Sequence, residues 1–244
     1  DSNVGCVGNL TMLPRRPSRC TVNPYFAHES RLPDQLGPAQ NKRKVVIIGA
    51  GPAGMSAALA AAQRGHDVVL FEKAAALGGG GQFQLATIAP YKDTINRIPD
   101  YYGKEFADLP NLKVKLGVTA DAAMVMGEKP DAVIVATGGK PLGCPIPGSD
   151  GANVVDYASA LSQGKSLGEH VVVIGGGHIG CETAHTLLAL GKKVTILEML
   201  YRIADQVEIA TRNCIIKELI DGAAEMIPGA TVNSISNAGV TYTK

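Results

Sequence analysis

Residues 44–73 read KVVIIGAGPAGMSAALAAAQRGHDVVLFEK, and residues 170–199 read HVVVIGGGHIGCETAHTLLALGKKVTILEM. The landmarks of the first stretch, Gly49, Gly51, Gly54, Gly65 and Glu72, reappear as Gly175, Gly177, Gly180, Gly191 and Glu198 at a constant offset of 126 residues (49 to 175, 72 to 198). Five landmarks at one spacing mark an internal repeat of a supersecondary unit. Each copy reads as strand, glycine turn, helix and strand. Val45–Ile48 and Val171–Ile174 carry no polar residue, the pattern of a strand buried on both faces of a parallel sheet. Gly54–Arg64 and Gly180–Ala189 are rich in Ala and Leu, good helix formers. Gly65 and Gly191 stand where a left-handed residue closes a helix. Val68–Phe71 and Val194–Leu197 return as parallel strands through a right-handed crossover.

A GxGxxG run alone is weak evidence. Here each run follows a strand, opens a helix and precedes a glutamate by 18 residues (54 to 72, 180 to 198), which completes the dinucleotide fingerprint. Gly49 and Gly175 make the tight turn. Gly51 and Gly177, without Cβ, let a pyrophosphate approach the backbone. Gly54 and Gly180 let the helix pack on the strand. Free N–H groups at the helix start, at Ala53 beside Pro52 in one copy and at His178 and Ile179 in the other, hold the phosphate charge. Glu72, followed by Lys73, and Glu198 end the second strands, where a carboxylate accepts bonds from ribose hydroxyls. A 2′-phosphate would face the Glu198 carboxylate, so the second site is expected to prefer NADH to NADPH. Arg202 could soften that preference; its alternative is a solvated arginine at a helix end. His178 either reaches the pyrophosphate or is an ordinary turn residue.

Between the copies, Val133–Val135 reads as a further apolar strand, followed by Ala136, Thr137 and Gly138. The run LGGGGQFQLATIAP, residues 77–90 with Gly81 and Gln82 at its centre, reads as backbone N–H groups without bulky side chains, either a close cover for a flavin or a flexible loop. The remainder bounds the class of protein. The 244 residues are 45% hydrophobic with net charge +1, which leaves no electrostatic footprint for nucleic acid. The apolar runs are too short for a membrane span. The start at Asp1, with no signal segment, suggests a cut from something longer. Cys144, Cys181 and Cys214 have no framework spacing and are expected to be buried thiols of a reducing, cytoplasmic protein.

These residues together resemble the C-terminal half of the enoate reductase family, flavoenzymes related to 2,4-dienoyl-CoA reductase and trimethylamine dehydrogenase. CTVNPYFAHES, KVVIIGAGPAGMSAA, FEK, GGQFQLATIAPYK and VVVIGGGHIGCETAHTL carry the likeness. The resemblance implies a flavin-binding barrel and a [4Fe–4S] segment ahead of two nucleotide domains. Their fold is similar to that of pyridine nucleotide-disulfide oxidoreductases. The family's cluster uses four cysteines. Cys20 falls on the last of them and Cys6 near the second, while Asn3 and Asn9 or Leu10 stand near the other two. Two thiolates are not the usual set for a cubane, so Cys6 and Cys20 are read as a degenerate metal loop without a cluster. A cluster completed by other ligands and a Cys6–Cys20 disulfide are the alternatives.

The expectation is an α/β protein with two Rossmann-type dinucleotide-binding domains, the second inserted in the first. Residues 1–43 are loop and linker, 44–150 bind FAD or its ADP portion, and 151–244 bind NADH. The family's returning strand that contacts the flavin has no counterpart here. No cysteine pair has the CxxC or CxxxxC spacing of dithiol flavoproteins. No catalytic acid or base stands out; the cofactor would carry the chemistry. Hydride would pass from NADH to flavin and electrons to a flavin barrel domain or separate subunit, in an oligomer with neither nucleic acid nor membrane as partner. The rival readings are a non-catalytic nucleotide-holding module and a fragment of a full-length enoate reductase.

Overall fold

The computed structural model describes Cys20, Phe26 and residues 37–244, so the expectations for Cys6 and most of the linker lie outside the described residues. The chain divides into two compact units, each containing one copy of the repeat. The first includes residues 37–87 and Thr94–Gly139; the second includes Ile88–Asp93 and Lys140–Lys244.

In the first unit, β1 (Lys44–Ile48) leads through Gly49 into α1 (Pro52–Gln63) and back along β2 (Asp67–Phe71). Then follow α2 (Gly81–Ala86), α3 (Arg97–Ala107), β3 (Leu112–Lys115), α4 (Ala122–Gly127) and β4 (Ala132–Val135). The sheet is parallel, in the order β3-β2-β1-β4. Alternation along β1 decides which layer each residue enters. Val45 and Ile47 pack with Met55, Ala58 and Ala62 of α1 and Phe106 of α3, while Val46 faces the other way, with Val69, Phe71 and Val125 of α4. Gly65, at φ +89°, closes α1 as expected.

The second unit adds α5 (Tyr157–Gln163), then β5 (His170–Ile174), α6 (His178–Ala189), β6 (Lys193–Glu198), α7 (Ile209–Asp221) and β7 (Glu225–Pro228). These strands form a parallel sheet in the order β5-β6-β7, and an antiparallel pair, β8 (Thr231–Ser236) and β9 (Gly239–Thr243), follows. Its core joins Cys181, Ala184 and Leu187 of α6 to Val194 and Ile196 of β6 and Leu219 of α7.

Two expectations about burial are corrected. Val171–Val173 are only half-buried and Ile174 is exposed, although their sequence matches β1. β1 lies between two strands, whereas among the described residues β5 pairs with β6 alone. A strand at a sheet edge keeps one flank open whatever its side chains. The edge strand β4 likewise leaves Val133, Ile134 and Val135 exposed. The thiols also divide: Cys181 is buried, but Cys144 and Cys214 are exposed. Cys144 sits on an irregular stretch and Cys214 on a helix, outside the packed core.

One carboxylate ties three elements of the first unit together. Glu128, just after α4, takes Lys44 of β1 on one oxygen and Lys115 of β3 on the other, each at 2.7 Å. Hydrogen bonds from Lys115 and Lys44 hold its carboxyl down at about 2, from an ordinary 4.5. A depressed folded value gives stability above the unfolded carboxyl's range, lost as pH falls from 4.5 toward about 2. Both lysines are more than a third exposed, so solvent screening reduces the gain to about 1 kcal/mol. Glu128→Gln should therefore lower the urea-unfolding free energy by about 1 kcal/mol at neutral pH, with the gap closing in acid. An undiminished gap in acid would count against this account.

Candidate nucleotide-binding sites

The chain leaves β1 at Gly49, whose φ of +100° is open to glycine but strained for other residues. A Cβ there would lie 2.5 Å from the carbonyl oxygen of Ala136, where the end of β4 passes. Gly54 is under a tighter limit: its Cβ would overlap the Gly49 carbonyl oxygen, far inside the 3.0 Å that Cβ atoms keep. Gly51 faces open space. It caps α1 in extended conformation, and Pro52 occupies the first turn, where its missing N–H costs nothing. Glu72 reaches back from the end of β2. One of its oxygens accepts the Ala50 N–H at 2.6 Å and the other the Ala74 N–H at 2.8 Å.

The turn opens on a cavity of about 360 Å3. Its walls include Gly49, Gly51, Pro52, Ala53, Glu72, Lys73, Gly81, Gln82, Ala136, Thr137 and Gly138, all the positions expected for the first site except Gly54, which lies at the helix–strand contact. Gln82 Nε2 donates to the carbonyl of Gly139, another lining residue, at 3.3 Å. Sequence reasoning missed Phe83 and the wall Val118, Thr119 and Ala120. No motif marks the wall; it joins the site because β3 pairs with β2 and the Val118 N–H then bonds to the Glu72 carbonyl at 2.8 Å. The glycine run is not an open loop throughout, since its middle, Gly81–Ala86, is α2, and Phe83 is a bulky side chain against the cavity.

The second turn repeats this geometry. Gly175 has φ +98°, a Cβ on Gly180 would overlap the Gly175 carbonyl oxygen, and Gly177 faces open space. Glu198 accepts the Gly176 N–H at 2.6 Å and the Leu200 N–H at 2.8 Å. Both glutamates are buried. Their oxygens are thus already used by the backbone, one N–H each, with a second lone pair left on every oxygen. Ile179 is exposed beside the turn. Arg202 is paired with Asp205 at 2.8 Å in a turn region, not at a helix end.

Three side chains set the second turn apart. His178, the first residue of α6, holds Glu182 at 2.9 Å through Nε2, and Lys92 pairs with the same carboxylate oxygen. Burial pushes the Glu182 carboxyl up, but hydrogen bonds from His178 and Lys92 outweigh it and leave the carboxyl below its ordinary range. Lys92 was not foreseen, because nothing local connects it to a residue 90 positions away. Between them, Cys181 donates its thiol to the Gly176 carbonyl at 3.3 Å. Burial, with the nearby Glu198 and Glu182 charges, pushes this thiol up to about 12, so it is a packed thiol and not a nucleophile. Among the described residues no group of three or more His, Cys, Asp or Glu could hold a metal ion, and no helix is long and apolar enough to cross a membrane. Cys20 is half-buried and free.

The profile of the pyridine nucleotide-disulphide oxidoreductase family matches residues 43–244. The chain belongs to that family. Its relatives include an NADH oxidase of Thermoanaerobacter brockii, 40% identical over 242 residues, covering 98% of this chain and 36% of that protein. A bilirubin reductase of Mediterraneibacter gnavus is 36% identical over 234 residues, covering 96% of this chain and 35% of its own length. Among solved structures, a 2-naphthoyl-CoA reductase complex superposes with a TM-score of 0.84 at 33% identity, over 93% of this chain and 34% of that one. The chain thus spans about a third of the length of these three proteins. The expected resemblance to enoate reductase-type flavoenzymes and the two-Rossmann fold both agree with these matches. Family membership implies FAD and NAD(P)H, and the residues fit them. Each turn leaves Gly51 or Gly177 open for a phosphate, and the first adds a cavity in the range of cofactor pockets.

Proposed function

We propose that this chain is the nucleotide-handling part of a flavin-dependent oxidoreductase, with FAD or its ADP portion in the first unit and NADH in the second. One observation carries the reading: two glycine turns 126 residues apart (49 to 175), each closed by a buried glutamate that bonds the backbone on both sides. In the first unit Gly49, Gly51 and Gly54 with Pro52 and Ala53 would receive the pyrophosphate. Glu72 and Lys73 would take the ribose end, and Gly81, Gln82, Ala136, Thr137 and Gly138 would cover the rest. In the second, Gly175, Gly177 and Gly180 with His178 and Ile179 would take the pyrophosphate and Glu198 the ribose. The bound flavin supplies the hydride-accepting ring. The protein orients both nucleotides, and a flavin barrel domain or separate subunit receives the electrons. This reading places the protein in the cytoplasm, as an oligomer, without nucleic acid or a [4Fe–4S] cluster on Cys6 and Cys20.

Glu198 makes NADH the preferred donor. Its buried carboxylate stands where NADPH would carry a second negative group, and like charges at close range cost several kcal/mol. Arg202 is already engaged by Asp205. Calorimetric titration should give a Kd for NADH lower than that for NADPH by about tenfold or more. Equal affinities would remove the specificity, and binding of neither nucleotide would remove the second site. The wider reading is tested by anaerobic visible spectra. Flavin absorption that bleaches on NADH supports it. A flavin-loaded chain that neither bleaches nor passes electrons from NADH to a dye would be a nucleotide-holding module.

A further inference from the structure

The two copies of the repeat provide an internal control. Their turns agree in the φ of the first glycine, +100° and +98°, and in the glutamate bond to the loop, 2.6 Å in each. Yet at the positions of His178 and Glu182, the first copy has Pro52 and Ser56 (178 − 126 = 52, 182 − 126 = 56). The fold therefore builds this turn without charged side chains at these two positions. The cluster of His178, Glu182 and Lys92 is not a requirement of the scaffold, and it stands only at the second turn.

Its charges suit one task. Lys92 and His178 share the one carboxylate of Glu182, so with His178 protonated the cluster would carry one net positive charge. His178 lies one residue beyond the open Gly177, inside the first turn of a 12-residue helix, where a pyrophosphate meets free N–H groups. Histidine is the side chain that changes charge between about pH 5 and 8, and a pyrophosphate diester stays doubly negative there. Building on the reading that this turn holds NADH, we infer that His178, positioned by Glu182 and Lys92, takes up a proton when the nucleotide binds. Binding at the second site is then coupled to pH, and binding at the first is not.

The neighbouring ionisable groups are accounted for. On the same helix, the His185 ring lies tilted against Tyr91 with centroids 5.9 Å apart and faces Glu218 of α7 at 3.7 Å. Cys181 lies among Glu198, Glu182 and Arg212 with its thiol bonded to Gly176. His185 is thus the one other imidazole beside the cluster among the described residues, and the test must separate it.

The experiment is calorimetry of NADH binding to the full chain at about pH 7, in two buffers of different ionisation enthalpy, with Kd followed from about pH 6 to 8. The wild-type chain should take up a fraction of one proton per NADH, and its Kd should rise about fivefold across the range. The double variant His178→Pro, Glu182→Ser, which copies Pro52 and Ser56 into the second turn, should bind NADH with no proton uptake and a flat pH profile. His178→Gln should do the same, while His185→Gln should keep the uptake. Lys92→Met leaves Glu182 unbalanced and should weaken NADH binding most at the alkaline end. NADH binding by the wild type without buffer dependence overturns the inference, as does uptake that survives His178→Gln or vanishes in His185→Gln. Absence of NADH binding to the wild type at every pH instead removes the reading on which the inference stands.

Discussion

Gly180→Ala should weaken NADH binding by about 100-fold or more and leave flavin binding intact, while Gly54→Ala should do the reverse. Alanine in place of glycine inside a helix ordinarily stabilises it by about 1 kcal/mol. Here the sign reverses. The added Cβ would overlap the carbonyl oxygen of Gly175, or of Gly49, and that atom is backbone, which cannot rotate aside. The helix must move off the strand. Overpacking of this kind costs about 1–3 kcal/mol and sometimes more. The same shift would turn the N–H groups of residues 178 and 179 away from a nucleotide phosphate bound as proposed. A displacement that costs about 3 kcal/mol of binding is a factor of about 100 in Kd. Titrating each variant with NADH and FAD checks both the size and the separation of the effects. If Gly180→Ala bound NADH like the wild type, the close helix–strand contact would have no role in holding the nucleotide.

The second large effect concerns the glutamates. Glu198→Ala should lower the unfolding free energy by about 3 kcal/mol, even with no nucleotide present. The carboxylate is 7% exposed and accepts the Gly176 and Leu200 N–H groups. Hydrogen bonds to a charged group contribute about 1.5–3 kcal/mol each, and orphaned buried donors cost more than the bond itself contributes. Gln is no rescue, because its amide nitrogen would face one of the two N–H donors. Glu72→Ala should behave alike, since Ala50 and Ala74 lose the same two bonds. Urea unfolding of the free chain measures this directly. A change under about 0.5 kcal/mol would mean that these glutamates serve the ribose alone, and that the observed bonds hold nothing in place.

The ribose role was read from the spacing between glycine and glutamate; the structural role was not. A strand–turn–helix with small residues at fixed intervals is a local instruction, so both turns, both helices and the left-handed Gly65 and Gly191 follow from a few consecutive residues. The glutamate's spacing also survives inspection of the sequence. Its bond to the loop does not, because that bond depends on β1 and β2 lying side by side in register, with Ile48 opposite Phe71. The same limit explains the misread thiols. Cys144 and Cys214 are exposed although cysteine is often buried. A residue's type states a preference, and its neighbours decide the outcome.

Residues 44–73 and 170–199 were enough to set the fold class, the duplication and the positions of both glycine turns, because each depends on contacts within about one strand–helix step of chain. The tertiary structure decided the rest. Two nearly matching apolar strands became a buried centre at β1 and a half-open edge at β5, and Val118–Ala120 came to wall the first cavity. Lys92 crossed 90 residues to a carboxylate beside the second turn. Burial and charge pairing are properties of what lies alongside a residue in space, and the order of residues along the chain does not contain that until the chain has folded.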